Sequence, residues 1–304
     1  MSDQMIEVVE FTDPLCSIAW GTEPYKRRLL SRFGEKLKWR VVMAGLCRDN
    51  STVKAFQPWD PYKAGQSYLK VWKRVTGITG MPYPQDLRYM AVTTDPSCLV
   101  VKAAECQGSD VADRVLRRFR EAVFLYGTPV DSIDQTKRAL QGLPGLDFER
   151  LLRDIESDEV KAAYLSDWQE TRQPNDYVRG LPDAETEHLQ GGMMVSEGHE
   201  RYNLPTFIFT GPAGERTVPG YRPYAEYEEA LEAVCPGITE QAQADPTPEE
   251  ALGRWSTMTS KEFEVVCGSS DEYPQSGRRV EGGGADVWLD ETEAAYWDMR
   301  KEAG

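Results

Sequence analysis

A cysteine at position 16 follows Phe11-Thr12-Asp13-Pro14-Leu15, just where a helical pattern begins at Ser17. A cysteine at a helix N-terminus meets backbone N–H groups that lack intrahelical partners, and the helix dipole favours an anion there. Both effects lower the thiol pKa and raise the share of thiolate, the nucleophilic form. Cys16 is therefore a candidate nucleophile. The competing reading is a small apolar side chain under a sheet, the usual place of a free cysteine. A second signal lies at Leu204-Pro205-Thr206, directly before the strand-like run 206–209. A proline at that point is also compatible with an ordinary edge strand.

The other chemistry-bearing residues are sparse. Cys47 follows a strand-like run and falls at the same sheet edge as Cys16, which makes it the best candidate for a partner thiol. Cys98 and Cys106 are eight apart on one helical side and read as helix packing or surface thiols; Cys235 and Cys267 read as incidental. There is no CxxC pair, and only His188 and His199 could add imidazole, so no metal site is expected. Either histidine could act as a base toward Cys16, although a surface-loop histidine explains both equally. No GxSxG elbow supports a serine nucleophile. Trp59, Tyr62, Tyr68, Trp72, Tyr83 and Tyr89 are dense enough to line a pocket or simply to pack.

The elements that would position these residues can be read from hydrophobic period and punctuation. A buried strand over 6–11 leads through a turn into a helix over 17–33, with Pro24 expected to kink it near Gly21 and Gly34 as its cap. A second strand covers 37–46, and 49–61 is turn-like. Helices are expected at about 62–77, 96–107, 109–125, 132–141, 147–154 and 158–172. The polar stretch 173–203, with Gly191-Gly192, reads as loop. A hairpin over 206–218 and a helix over 223–234 close the unit. The order βαβ, helical block, ββα is that of a thioredoxin-like α/β fold with a large all-helical insertion and a small C-terminal appendage. The expected division is a core over 1–60 and 200–236, an insertion over 61–199, and a linker with a helical appendage over 237–304. Within the appendage, helices at 248–255 and 259–267 carry helix-start signals at Thr247 and Thr259. Gly282-Gly283-Gly284 reads as a flexible joint.

Composition narrows the function. With 50 acidic and 35 basic residues the net charge is −15, the wrong sign for a general nucleic-acid binder or an anionic membrane surface. No run approaches the roughly 18 apolar residues of a membrane span. The first ten residues show no leader-like apolar segment, so a cytoplasmic location is expected.

The residues Asp13-Pro14-Leu15-Cys16, Trp20-Gly21, Glu23-Pro24 and Leu204-Pro205-Thr206-Phe207 carry a resemblance. Over about residues 5–234 the chain resembles the DsbA-like subgroup of the thioredoxin superfamily, the group that includes FrnE-type dithiol-disulfide isomerases. The resemblance implies thiol-disulfide chemistry at Cys16, with Pro205 in cis facing it and the Leu204 backbone open to an extended substrate. Ser17 and Trp20 would support the site. The chain departs from that pattern at Ala19, which stands where such enzymes carry their second, resolving thiol.

Three functions follow, in order of expectation. The first is a monothiol oxidoreductase or disulfide isomerase acting on a disulfide-containing protein. No bound cofactor is expected, and a low-molecular-weight thiol would be the co-substrate. The second resembles kappa-type glutathione transferases and 2-hydroxychromene-2-carboxylate isomerases, which act on small molecules and need no cysteine at 19. The third resembles protease adaptors that bind a partner without turnover. The appendage is a candidate for homodimerisation, for covering the site or for binding a partner.

Overall fold

The computed structural model describes residues 5–52, 57–181, 191–196, 198–269 and 272–302. The chain opens with strand β1 (Ile6–Thr12), helix α1 (Ser17–Phe33) and strand β2 (Leu37–Met43). β1 and β2 pair in parallel from Ile6↔Leu37 to Thr12↔Met43, with α1 as the crossover. α1 runs unbroken through Pro24 and ends at Phe33. Gly34 is not the left-handed cap the sequence suggests: it stays right-handed at φ −54° and begins a short 3-10 turn.

A helical block follows: α2 (Pro61–Thr79), α3 (Asp95–Glu105), α4 (Ser109–Phe124), α5 (Ile133–Leu140), α6 (Phe148–Ile155), α7 (Asp158–Thr171) and α8 (Asp176–Arg179). The expected loop before Pro205 is corrected. It holds an antiparallel hairpin, β3 (Met193–Ser196) with β4 (His199–Tyr202). Then β5 (Thr206–Gly211), β6 (Gly214–Pro219) and α9 (Tyr224–Val234) complete a four-stranded sheet of order β2-β1-β5-β6. Side chains alternate across β1, so Val8 joins Leu29, Phe33, Phe209 and Leu231 in one cluster. Val9 and Phe11 instead join Cys16, Val42, Tyr202 and Leu204 in another. This is a thioredoxin-like fold carrying a helical insertion.

The C-terminal segment is more than helices, which corrects the expectation of a linker and helical appendage. It comprises α10 (Pro248–Trp255), β7 (Thr257–Thr259), α11 (Ser260–Cys267), β8 (Arg278–Gly282), β9 (Ala285–Leu289) and α12 (Glu291–Glu302). Its strands form a sheet of order β7-β9-β8 over a core of Leu252, Met258, Phe263, Val266 and Trp288. The expected glycine joint is the β8–β9 turn: Gly283 and Gly284 have φ of +62° and +73°, and the Gly283 N–H donates to Leu125 O at 2.9 Å. Two buried acids and their cations tie this segment to the rest. Glu262 pairs with Arg117 at 2.7 Å and Arg27 at 3.1 Å, and Arg27 also donates to Thr257 O at 2.7 Å. Glu293 takes Arg118 at 2.6 Å.

Candidate active site

The parallel strands β1 and β2 end side by side, and the Ala44 N–H donates to Thr12 O at 2.9 Å. The loops that follow, 13–16 and 44–47, share one buried anchor. The Asp13 carboxylate accepts from the Leu15 N–H at 2.9 Å, the Leu46 N–H at 2.7 Å, the Thr94 hydroxyl at 2.9 Å and the Cys98 thiol at 3.4 Å. Burial pushes this carboxyl up from its ordinary range, and those hydrogen bonds work against it. Cys98, read as helix packing or a surface thiol, is a wholly buried neighbour of Asp13, and burial first, then the Asp13 charge, holds its thiol protonated. Asp13 looks like a surface-turn residue in the sequence. Only long-range contacts reveal its role.

Cys16 caps α1 in extended backbone, with φ −82° and ψ 111°. Its N–H donates to Asp13 O at 3.2 Å and its carbonyl accepts from the Trp20 N–H at 3.0 Å. The side chain is only 5% exposed, and its sulfur donates to Leu204 O at 3.7 Å. The helix-start expectation of an acidified thiol is corrected. Burial pushes the Cys16 thiol up, and the Asp13 charge adds to that. The N–H groups of Ala19 and Ile18 and the Arg201 guanidinium oppose the shift without cancelling it. A helix terminus acidifies a thiol only while water or a cation keeps the charged form solvated, and here the sulfur is sealed.

The Leu204–Pro205 peptide is cis, and both residues are buried. The sequence suggests an open Leu204 backbone; the structure engages both of its polar groups. Its N–H donates to Asn203 Oδ1 at 3.0 Å and its carbonyl takes the Cys16 thiol. Asn203 is itself fixed by donating to Gly191 O at 3.0 Å. The Gly220 N–H donates to Pro205 O at 2.7 Å.

The remaining sequence candidates divide. Ser17 is half-buried beside Cys16, and Ala19 is buried under it in the same cluster. Trp20 turns into the helical insertion, where its indole N–H donates to Pro82 O at 2.8 Å and its ring lies 5.8 Å from Phe124. Cys47 is half-buried on the loop beside Asp13, with its N–H 3.4 Å from Thr94 Oγ1. Tyr68 lies near both thiols: its hydroxyl is pushed up to about 12 by burial, then by the charges of Cys47 and Cys16. All six cysteines are free thiols. His199 is exposed on β4 and packs edge-on against Trp168 at 5.7 Å, so the imidazole it offers is not among the groups that act on Cys16. His188 lies outside the described residues. Of the aromatic cluster, Trp59, Tyr68, Trp72 and Tyr83 pack in one buried core, while Tyr62 is exposed. Trp72 sits 4.9 Å from Phe124, and the space beside Leu15, Trp72 and Tyr89 is about 10 Å³. Arg201, a buried cation facing Cys16, escaped the sequence reading because an arginine in a polar segment looks solvated.

Comparison with known proteins agrees with this fold. Curated relatives named ClpXP adapter protein SpxH match along most of the chain. That of Shouchella clausii is 26% identical over 88% of this chain and 79% of the relative. That of Halalkalibacterium halodurans is 28% identical over 86% and 78%. Among solved structures, the cytosolic disulfide reductase DsbM of Pseudomonas aeruginosa superposes with a TM-score of 0.52 at 16% identity, covering 74% of this chain and 98% of DsbM. That likeness is one of fold. A family model described as thioredoxin matches residues 10–182, more than half of the 304 residues and the stretch that carries Asp13, Cys16 and Cys47, and the chain belongs to that thioredoxin family.

Proposed function

We propose that this chain is an adaptor of the kind its curated relatives are named for, holding a protein client for the ClpXP protease rather than turning over a disulfide. The observation that carries this is the resting state of Cys16. Its thiol is sealed against Leu204 O, burial keeps it protonated, and Ala19 stands three residues on. A dithiol oxidoreductase needs the opposite at each point: an accessible sulfur, a stabilised thiolate and a resolving thiol. The eight matching curated relatives lend the same support. A cytoplasmic location goes with this reading.

A second reading keeps Cys16 as a single exchanging thiol, with a small thiol releasing the mixed disulfide. Arg201 and the N–H groups of Ala19 and Ile18 favour it, since they would stabilise the thiolate once the Leu204 contact opened. Cys47 would be the nearest candidate to resolve. The small-molecule transferase or isomerase reading draws no support from the packed aromatic cluster.

The test is degradation by reconstituted ClpXP of a cytoplasmic extract of the source organism, with and without the chain, followed by quantitative mass spectrometry. The adaptor reading expects particular proteins to disappear faster in proportion to added chain, and Cys16→Ser to work as well as the wild type. If no protein is degraded faster, while wild type but not Cys16→Ser reduces a disulfide peptide, the adaptor reading fails and the second one stands.

A further inference from the structure

A cavity of about 930 Å³ opens where core, insertion and C-terminal segment meet, and neither Cys16, Leu204 nor Pro205 lines it. That volume lies within the range of small-molecule sites, roughly 300–1,000 Å³. Its wall draws on α1, the β2 edge, α4 and the end of α10. The acids in the wall are mostly spent. Asp113 pairs with Lys26 at 2.6 Å, Glu121 with Arg117 at 2.7 Å, Glu293 with Arg118 at 2.6 Å and Glu105 with Lys102 at 2.6 Å. Asp110 makes no ion pair among the described residues, and neither do two lining cations, Arg114 and Arg254. Both arginines are exposed at the cavity wall; Arg254 gives one N–H to Leu30 O at 3.0 Å.

A cavity whose acids are mostly paired and whose wall presents two guanidinium groups outside any ion pair among the described residues is complementary to a negatively charged acceptor. The local balance is the reverse of the whole chain's net −15.

We propose that this cavity binds a small oxyanion-bearing molecule, a phosphate or carboxylate compound gripped by Arg114 and Arg254. The site is independent of the adaptor reading and of Cys16. A ligand there would bridge the core, the insertion and the C-terminal segment at once.

Isothermal titration of the full chain with inorganic pyrophosphate and, separately, with citrate at low ionic strength tests this. At least one is expected to bind saturably, one to one, with a Kd below about 1 mM. Replacing both Arg114 and Arg254 by Ala should weaken that binding by about tenfold or more, while Cys16→Ser leaves it unchanged. Pyrophosphate alone binding assigns a phosphate site, and citrate alone a carboxylate site. Binding by neither, or equal binding by the double variant, overturns the proposal.

Discussion

The Cys16 sulfur lies between the Asp13 carboxylate, which disfavours a thiolate, and the Arg201 guanidinium, which favours one. Burial tips the balance, so the alkylation rate of Cys16 followed against pH should have its midpoint above the ordinary thiol value of 9.0. The two neighbours act with opposite sign, which intact-mass alkylation can separate. Asp13→Asn removes a negative charge and should lower the midpoint; Arg201→Met removes a positive one and should raise it. A midpoint below 9.0 in the wild type would mean that the sulfur is more open than the Leu204 contact implies. At this scale Cys16 and Pro205 were legible, because a helix start and a strand start are local patterns. The Asp13 hub was not. Its partners are 33, 81 and 85 residues away, apart from Leu15, so no local pattern announces it.

Among the elements, helix starts were the most legible features. The Thr247–Glu250 and Thr259–Glu262 pairs both form capping boxes, in which the threonine accepts from the N3 N–H and the glutamate accepts from the cap N–H. They differ in what else they hold. Thr247→Ala touches only an exposed cap and should cost about 1 kcal/mol in urea unfolding. Glu262 is wholly buried and is shared by the buried Arg27 and Arg117, so Glu262→Ala takes one carboxylate from two buried cations and should cost about 3–5 kcal/mol. Equal costs would deny the buried pairs their role. The 44–47 loop depends on one glycine. Gly45 has φ +57°, and a Cβ there would overlap the Tyr164 hydroxyl, which donates to Asp95 at 2.5 Å. Gly45→Ala should therefore loosen the loop that carries Cys47, read as faster amide exchange at Leu46 and Cys47. The β3–β4 hairpin escaped notice because its strands are only four residues each, β4 is mostly polar, and they pair only with each other.

Across the whole molecule, buried charge joins the parts that the sequence separates. Lys26 on α1 pairs with Glu10 on β1 at 3.1 Å and with Asp113 on α4 at 2.6 Å, while Arg120 on α4 pairs with Glu23 on α1. Burial alone would push the Glu23 carboxyl up, but Arg120, then Lys26, Arg117 and Arg27, hold it at about 2 against an ordinary 4.5. A carboxyl whose folded pKa is depressed adds stability that is complete above its unfolded pKa and is lost as pH falls through the folded one. Glu23 should thus support folding fully above about 4.5 and lose that support as pH drops toward about 2. Urea midpoints between pH 5 and 2 should fall more steeply for the wild type than for Glu23→Gln. Matching slopes would mean that Glu23 shares no charge with its four cations.

The sequence determined the order of the core elements, most helix starts, those at Thr247 and Thr259 among them, and the placing of Cys16 and Pro205, because each rests on residues within a few positions of one another. It also determined that position 19 carries no thiol. Tertiary structure alone decided the state of the site. Whether a helix-start cysteine is acidic or protonated depends on what covers it, and Leu204, Asp13 and Arg201 arrive from separate segments of the fold. The same holds for the C-terminal segment. Its helices are local, but its union with α4 through Glu262 and Glu293 depends on cations 145 and 175 residues away, brought into range only by packing.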